Sequence, residues 1–278
     1  MEDRSKPADA TLTNDTQDRG ADALHDTQNS PDYRNIRIDK VGVRGVRHPI
    51  KFQDANGLTQ DTVAIVGMAV DLPKEVKGTH MSRFIEALHA RNGQIELGAV
   101  SELLADLRER LGSETAHLEM EFPYFRAKVA PVTGFESAMD YQIRIEANAI
   151  RDEVDIVLSV ATSVTTLCPC SKAISKHGAH NQRGTVTVQT RARQPVSIEE
   201  IIEIAESSAS SELYALLKRE DEKAVTERAY ENPVFVEDLI RNVAVKLNAH
   251  PLIAWYKIEA ENFESIHNHN AYACIEMG

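Results

Sequence analysis

The sequence holds no apolar run of about 18 residues or more, the least that a membrane-spanning helix needs. Its first residues, M-E-D-R-S-K-P, lack the basic-then-apolar order of a secretory leader. Both absences lead us to expect a cytoplasmic protein without a membrane partner. Cysteine is also scarce: Cys168, Cys170 and Cys274 are too few, and odd in number, for a disulfide framework. At least one of them must be free, metal-bound or reactive. Positive charge is the third deficit. A formal net charge of -12 argues against general nucleic-acid binding, which draws its affinity from clustered Lys and Arg neutralising phosphates. A polyanionic substrate would have to meet a local concentration of basic side chains.

One such concentration exists. From Cys168 to Arg183 the chain reads C-P-C-S-K-A-I-S-K-H-G-A-H-N-Q-R, bringing together two thiols, two imidazoles, Lys172, Lys176 and Arg183. Thiolate and imidazole are the usual ligands of a zinc-like ion, and lysine and arginine of phosphate. The plainer alternative is a solvated basic loop. Cys168 and His180 lie twelve residues apart, unlike the short paired spacings of structural zinc sites, and no four-ligand motif is nearby. Two local ligands imply that others come from elsewhere, either from the carboxylates at Glu220, Asp221 and Glu222 or from the H-N-H run of His267 to His269. The sequence does not choose among them. A solvated helix face, surface histidines and a buried packing role for Cys170 are the ordinary readings of the same residues. Glu237 could likewise simply complement a helix dipole.

At 278 residues the chain can form one large domain or two ordinary ones. The opening residues, rich in Asp, Thr, Asn, Gln and Gly, bury too little to offset ordering entropy, so 1–34 is expected to be a disordered tail. Strands are predicted from Ile36 and over Thr62 to Leu72. Helices follow at Met81–Leu88 and at Leu103–Leu111, the second with Ser101 as cap. Alternating strands come next, around Leu118–Phe122 and Met139–Ile145. The second half repeats this order. Val154–Val160 and Thr185–Arg191 alternate as strands on either side of the chemical loop. Ser197 and Glu200 form a capping box. A helical set is read at Leu213, Leu216 and Leu217, and Asn232-Pro233 as the cap and first-turn proline of a further helix. Strands near Ile253–Glu261 and Ala271–Met277 close the chain. The expected class is α+β: two ββααββ-type units, 35–150 and 151–278, with antiparallel sheets, helices on one face and sheet edges that need covering.

The run T-S-V-T-T-L-C-P-C-S-K, then G-A-H-N-Q-R-G, with V-F-V-E-D-L-I-R around Glu237, resembles GTP cyclohydrolase type IB from about Ile36 to the C-terminus. The resemblance implies the tunnelling fold with two units per chain, and a homotetramer with sites at subunit interfaces. It implies hydrolysis of GTP to 7,8-dihydroneopterin triphosphate and formate, the first step of tetrahydrofolate biosynthesis. Cys168, His180 and Glu222 match metal-binding positions, for one divalent ion per site (Zn²⁺, Mn²⁺ or Fe²⁺). His267 matches a histidine of the metal pocket, as ligand or proton carrier. Glu237 matches the guanine-anchoring glutamate, and Cys168, His180 and His267 are the catalytic candidates. Lys172, Lys176 and Arg183 are assigned to the triphosphate on charge and proximity. Rival readings are a non-catalytic metal or thiol sensor, and a relative that releases a cyclic phosphate. The nitrile reductase of the same fold needs NADPH, and nothing like its signature is present.

Overall fold

The computed structural model describes residues 26–53, 57–91, 93, 98–151 and 153–278. The first half runs β1 (Ile38–Gln53), β2 (Thr59–Leu72), α1 (Met81–His89), α2 (Ala99–Leu111), β3 (Thr115–Val129) and β4 (Glu136–Ile150). The second runs β5 (Glu153–Leu167), α3 (Pro169–Ile174), β6 (Asn181–Ala192), α4 (Ile198–Glu206), β7 (Ser211–Glu212), α5 (Arg219–Glu231), α6 (Val236–Ala249), β8 (Ile253–Asn262) and β9 (Ala271–Met277).

Strict alternation drives the sheet. In β2, Ala64, Val66, Met68 and Val70 are buried, and in β3 Ala116, Leu118, Met120, Phe122 and Tyr124. A period of two puts each set on one face. Onto that face α1 and α2 lay Phe84, Leu88, Leu103, Leu104 and Leu107, while α4 and α6 contribute Ile201, Ile202, Leu239, Val243 and Leu247. Each large aliphatic side chain buried this way is worth about 1.5–3 kcal/mol. One hydrophobic cluster runs beneath both halves.

The strands form one antiparallel sheet in the order β1-β2-β3-β4-β5-β6-β8-β9, with the two halves joined by β4–β5 pairing from Gln142↔Ala161 to Ile150↔Glu153. The expected division at 150/151 falls in the turn between those strands, across which the sheet continues. β4 leaves β5 unpaired beyond Ala161, and β7 takes that edge at Val164↔Glu212. Within the described residues β1 and β9 are the free edges.

Several local expectations change. The segment of Leu213, Leu216 and Leu217 is not helical: it follows β7 in extended and bent conformation, and the next helix begins at Arg219. Asn232 closes α5 rather than opening α6, and α6 starts at Val236 with Phe235 as its cap. The reason is tertiary. The amide of Val234, just after Pro233, donates to the carbonyl of Leu167 at 3.1 Å, which holds that stretch extended beside β5. Ser101 lies inside α2, whose N-cap is Gly98. The capping box of Ser197 and Glu200 forms as expected, each side chain bonding the other's amide at 3.1 Å. Residues 1–25 of the expected tail lie outside the described residues. From Asp26 onward the chain lies against the 73–80 segment, with Pro31 bridged to Val76 and Gln28 bonded to the carbonyl of Thr79.

Candidate functional site

The β5–β6 hairpin brings Cys168 and His180 to its mouth. Pairing runs to Leu167↔Asn181, so the next residues outward are these two, and the amide of Cys168 donates to the carbonyl of His180 at 3.1 Å. Pro169 opens α3 at its first position, where the missing N–H goes unneeded. Cys168 is the N-cap, and its Sγ accepts from the Ser171 amide at 3.4 Å. The Ser171 hydroxyl then ties the two sides together, donating to the carbonyl of Cys168 at 3.3 Å and accepting from the amide of His180 at 3.1 Å. The chain returns through Gly178, whose φ of +118° suits glycine.

The His180 ring is held from one side. Its Nδ1 lies 3.0 Å from Oε1 of Gln182, and Nε2 of Gln182 donates to Oγ1 of Thr166 at 2.9 Å. A carboxylate that the sequence did not single out, Glu264, stands with Oε2 3.9 Å from the same Nδ1. The segment carrying it is fixed by the Phe263 amide, which donates to the carbonyl of Arg183 at 2.9 Å. Close approach of these strands explains the final glycine of the motif: a Cβ on Gly184 would lie 2.4 Å from Oδ1 of Asn262. Alternation could have revealed Gln182, since residues i and i+2 share a strand face. Nothing local marks Glu264.

The other candidates lie on separate segments. Glu237 is exposed in the first turn of α6, whose entry is pinned by the Val234–Leu167 bond one residue before Cys168. Glu222 is exposed in the first turn of α5. Its neighbour Asp221 is fully buried and fully used, accepting from the amides of Val132, Thr133 and Lys218 at 2.9 Å each and from the Thr133 hydroxyl at 2.6 Å. Burial alone would raise the pKa of this carboxyl, but the donors from Thr133, Lys218 and Val132 outweigh it and hold the group well below the usual carboxylate range. Asp221 is thus a structural cap, with Glu222 left facing outward. His267 and His269 stack on each other in an exposed turn, with ring centroids 5.1 Å apart.

Lys172 is engaged: its ammonium donates to the carbonyl of Tyr230 and sits 4.4 Å over that ring's centroid. Lys176 and Arg183 are exposed. Among the described residues no three His, Cys, Asp or Glu side chains gather into a metal-binding cluster. The chain therefore brings Cys168 and His180 together, while Glu222, Glu237 and His267 stand on separate segments. A thiol and an imidazole at one turn, the imidazole with Nε2 unengaged by any described hydrogen bond, fit a borderline-soft divalent ion as part of its donor set.

Residues 24–273 match the family described as type I GTP cyclohydrolase FolE2. The chain is 57% identical over 256 residues to GTP cyclohydrolase FolE2 of Akkermansia muciniphila, covering 91% of this chain and 97% of that protein. It is 51% identical over 255 residues to GTP cyclohydrolase FolE2 of Vesicomyosocius okutanii, again covering 91% and 97%. Among solved structures, uricase from Arthrobacter globiformis superposes with a TM-score of 0.51 at 10% identity, over 86% of this chain and 92% of that one. A hyper-thermostable uricase mutant gives 0.55 at 10% identity over the same shares. At that identity the likeness is one of fold, the tunnelling fold expected from the sequence. With half or more of the aligned residues identical to such relatives over nearly their whole length, the chain belongs to the type I GTP cyclohydrolase FolE2 family.

Proposed function

We propose that this chain hydrolyses GTP to 7,8-dihydroneopterin triphosphate and formate, with the chemistry centred on the mouth of the β5–β6 hairpin. The observation that carries the reading is the meeting of Cys168 and His180 there, beside the pinned entry of the Glu237 helix. Cys168 and His180, with Glu222 and His267, would hold a divalent ion (Zn²⁺, Mn²⁺ or Fe²⁺). When bound, such an ion supplies the Lewis acidity that makes water nucleophilic near neutral pH.

The remaining work falls to the side chains. Glu237 accepts N1–H and the exocyclic amine of guanine together, a donor pair that adenine lacks. His267, exposed on its turn, moves a proton to the purine nitrogen as the imidazole ring opens, if it does not serve as a ligand. Arg183 and Lys176 neutralise the triphosphate, Arg183 by bidentate contact, while Lys172 adds charge from its anchored position on Tyr230. Glu222, Glu237 and His267 are exposed and so open to a neighbouring subunit, in keeping with a homotetramer whose sites lie at subunit interfaces. No helix among the described residues is long and apolar enough to cross a membrane, and a cytoplasmic location accords with the pathway's soluble substrate.

The test is metal-stripped protein incubated with GTP, reloaded with Zn²⁺, Mn²⁺ or Fe²⁺ in turn, with the pterin product identified by mass. Metal-dependent appearance of the triphosphate product supports the reading. A cyclic phosphate would point instead to the other cyclohydrolase chemistry, and metal binding without any product to a sensor. Mixing inactive Cys168→Ala and Glu222→Ala chains tests the shared site: activity should return on subunit exchange if those two ligands of one site come from different chains.

A further inference from the structure

The geometry points to Gln182 as a positioning residue that sets which ring nitrogen of His180 is free to bind the ion. This inference rests on the reading of His180 as a metal ligand. A neutral imidazole carries one N–H and one bare nitrogen, and which is which depends on the partners around it. Here Nδ1 faces the amide oxygen of Gln182 at 3.0 Å and, further off, the Glu264 carboxylate at 3.9 Å. Two acceptors on one side hold the proton on Nδ1. Nε2 is then left bare, with its lone pair available to an ion.

Gln182 keeps its oxygen toward the ring because the Glu264 carboxylate on the same side can only accept, which favours the proton on Nδ1. The glutamine Nε2 is committed to Oγ1 of Thr166 at 2.9 Å, and the register pairs Thr166 directly opposite Gln182. Thr166 is fully buried and Gln182 is 8% exposed, so neither polar group has bulk water as an easy alternative partner. The relay Thr166–Gln182–His180 therefore runs from the sheet interior to the hairpin mouth. Among partners that orient metal-bound histidines, such groups are worth about 10–100-fold in metal affinity. A glutamine orients the ring without adding charge, which leaves the charge of the donor set to Cys168 and the carboxylate ligand.

The experiment uses the full-length protein and a chromophoric chelator competing for Zn²⁺, and separately for Mn²⁺. Gln182→Met keeps the side-chain length but removes the acceptor, and should weaken metal binding by about 10–100-fold. Gln182→Glu keeps an acceptor at Nδ1, since the Thr166 hydroxyl can rotate to donate, and should bind within a few-fold of the parent. That rescue is the signature a merely structural role would not give. Thr166→Val frees the glutamine amide and should weaken binding in the same direction, so it serves if the Met variant does not fold. His180→Ala separates the two levels of the argument. If it binds metal as the parent does, His180 is not a ligand and the underlying reading fails. If it loses metal while Gln182→Met and Thr166→Val bind as the parent does, the positioning role of Gln182 is overturned.

Discussion

The amide of Cys168 donates to the carbonyl of His180 across 3.1 Å, so two residues twelve positions apart face each other as the first unpaired step beyond β5 and β6. Ser171 spans the same gap with its hydroxyl. This arrangement makes Cys168 replaceable without loss of fold, since its main-chain bond does not depend on the thiol. Cys168→Ala should retain the parental melting temperature within a few degrees, yet bind metal more weakly and release formate at no more than about 1% of the parental rate, a loss of several kcal/mol of transition-state stabilisation. Circular dichroism, metal analysis and formate assay on one preparation check all three.

Much of this was legible in the sequence, and the exceptions have physical causes. Alternation gave the strands because each buries one face, and the Ser197 box gave the start of α4 because its two bonds are local. Asn232 and Pro233 misled because the Val234–Leu167 bond, a contact across 67 positions, overrides a local helix-start signal. The leucines at 213, 216 and 217 have helical spacing, but β7 fills an edge of β5 and draws the chain out straight. In the site, Cys168 and His180 could be seen in one motif. Glu264 and the full engagement of Asp221 could not, because both depend on partners brought by distant segments.

Asp221 sets a pH dependence of stability. Its carboxyl is held below its unfolded value of about 3.9 by donors from Thr133, Lys218 and Val132. A depressed folded pKa contributes stability that is present above the unfolded value and lost as pH falls through the folded one. Asp221→Asn should therefore lower the urea midpoint at pH 7, and the gap to the parent should narrow below about pH 4. Urea titrations at several pH values between 3 and 7 check this. Because Glu222 is the next residue, the variant should also bind metal less tightly at pH 7.

A buried ionic group ties the two halves. Lys128 on β3 is 7% exposed, and its ammonium bonds Oε1 of Glu206 at 2.8 Å and Oε2 of Glu212 at 2.6 Å, while the Tyr141 hydroxyl donates to Glu206 at 2.8 Å. Burial raises the pKa of Glu206 even with Lys128 beside it. Lys128→Met leaves the buried Glu206 carboxylate without its cation, while Glu212 keeps Arg228 and Tyr214, and should cost about 3–5 kcal/mol at neutral pH. Adding Glu206→Gln should recover part of that loss. A double-mutant cycle in denaturant measures the coupling, and strict additivity would contradict it.

Glu237 offers a cleaner functional probe, because it is exposed and its helix is held by main-chain and apolar contacts. Glu237→Ala forfeits at most about 1 kcal/mol of helix-dipole interaction, so the fold survives. Bonds to a charged group are worth about 1.5–3 kcal/mol each, so kcat/KM for GTP should fall by about 10–100-fold or more. Glu237→Gln, which keeps one acceptor and adds an unwanted donor, should also be impaired. Steady-state kinetics of both variants test this, and parental turnover by the Ala variant would remove Glu237 from the guanine site.

The central claim is tested most directly with GTP carrying ¹³C at C8 of the purine, given to the metal-loaded protein and followed by NMR. Hydrolytic opening of the imidazole ring predicts ¹³C-formate in a one-to-one ratio with unlabelled 7,8-dihydroneopterin triphosphate, and neither product from the metal-stripped protein. Label that stays in the purine, or a pterin product without labelled formate, would contradict the account.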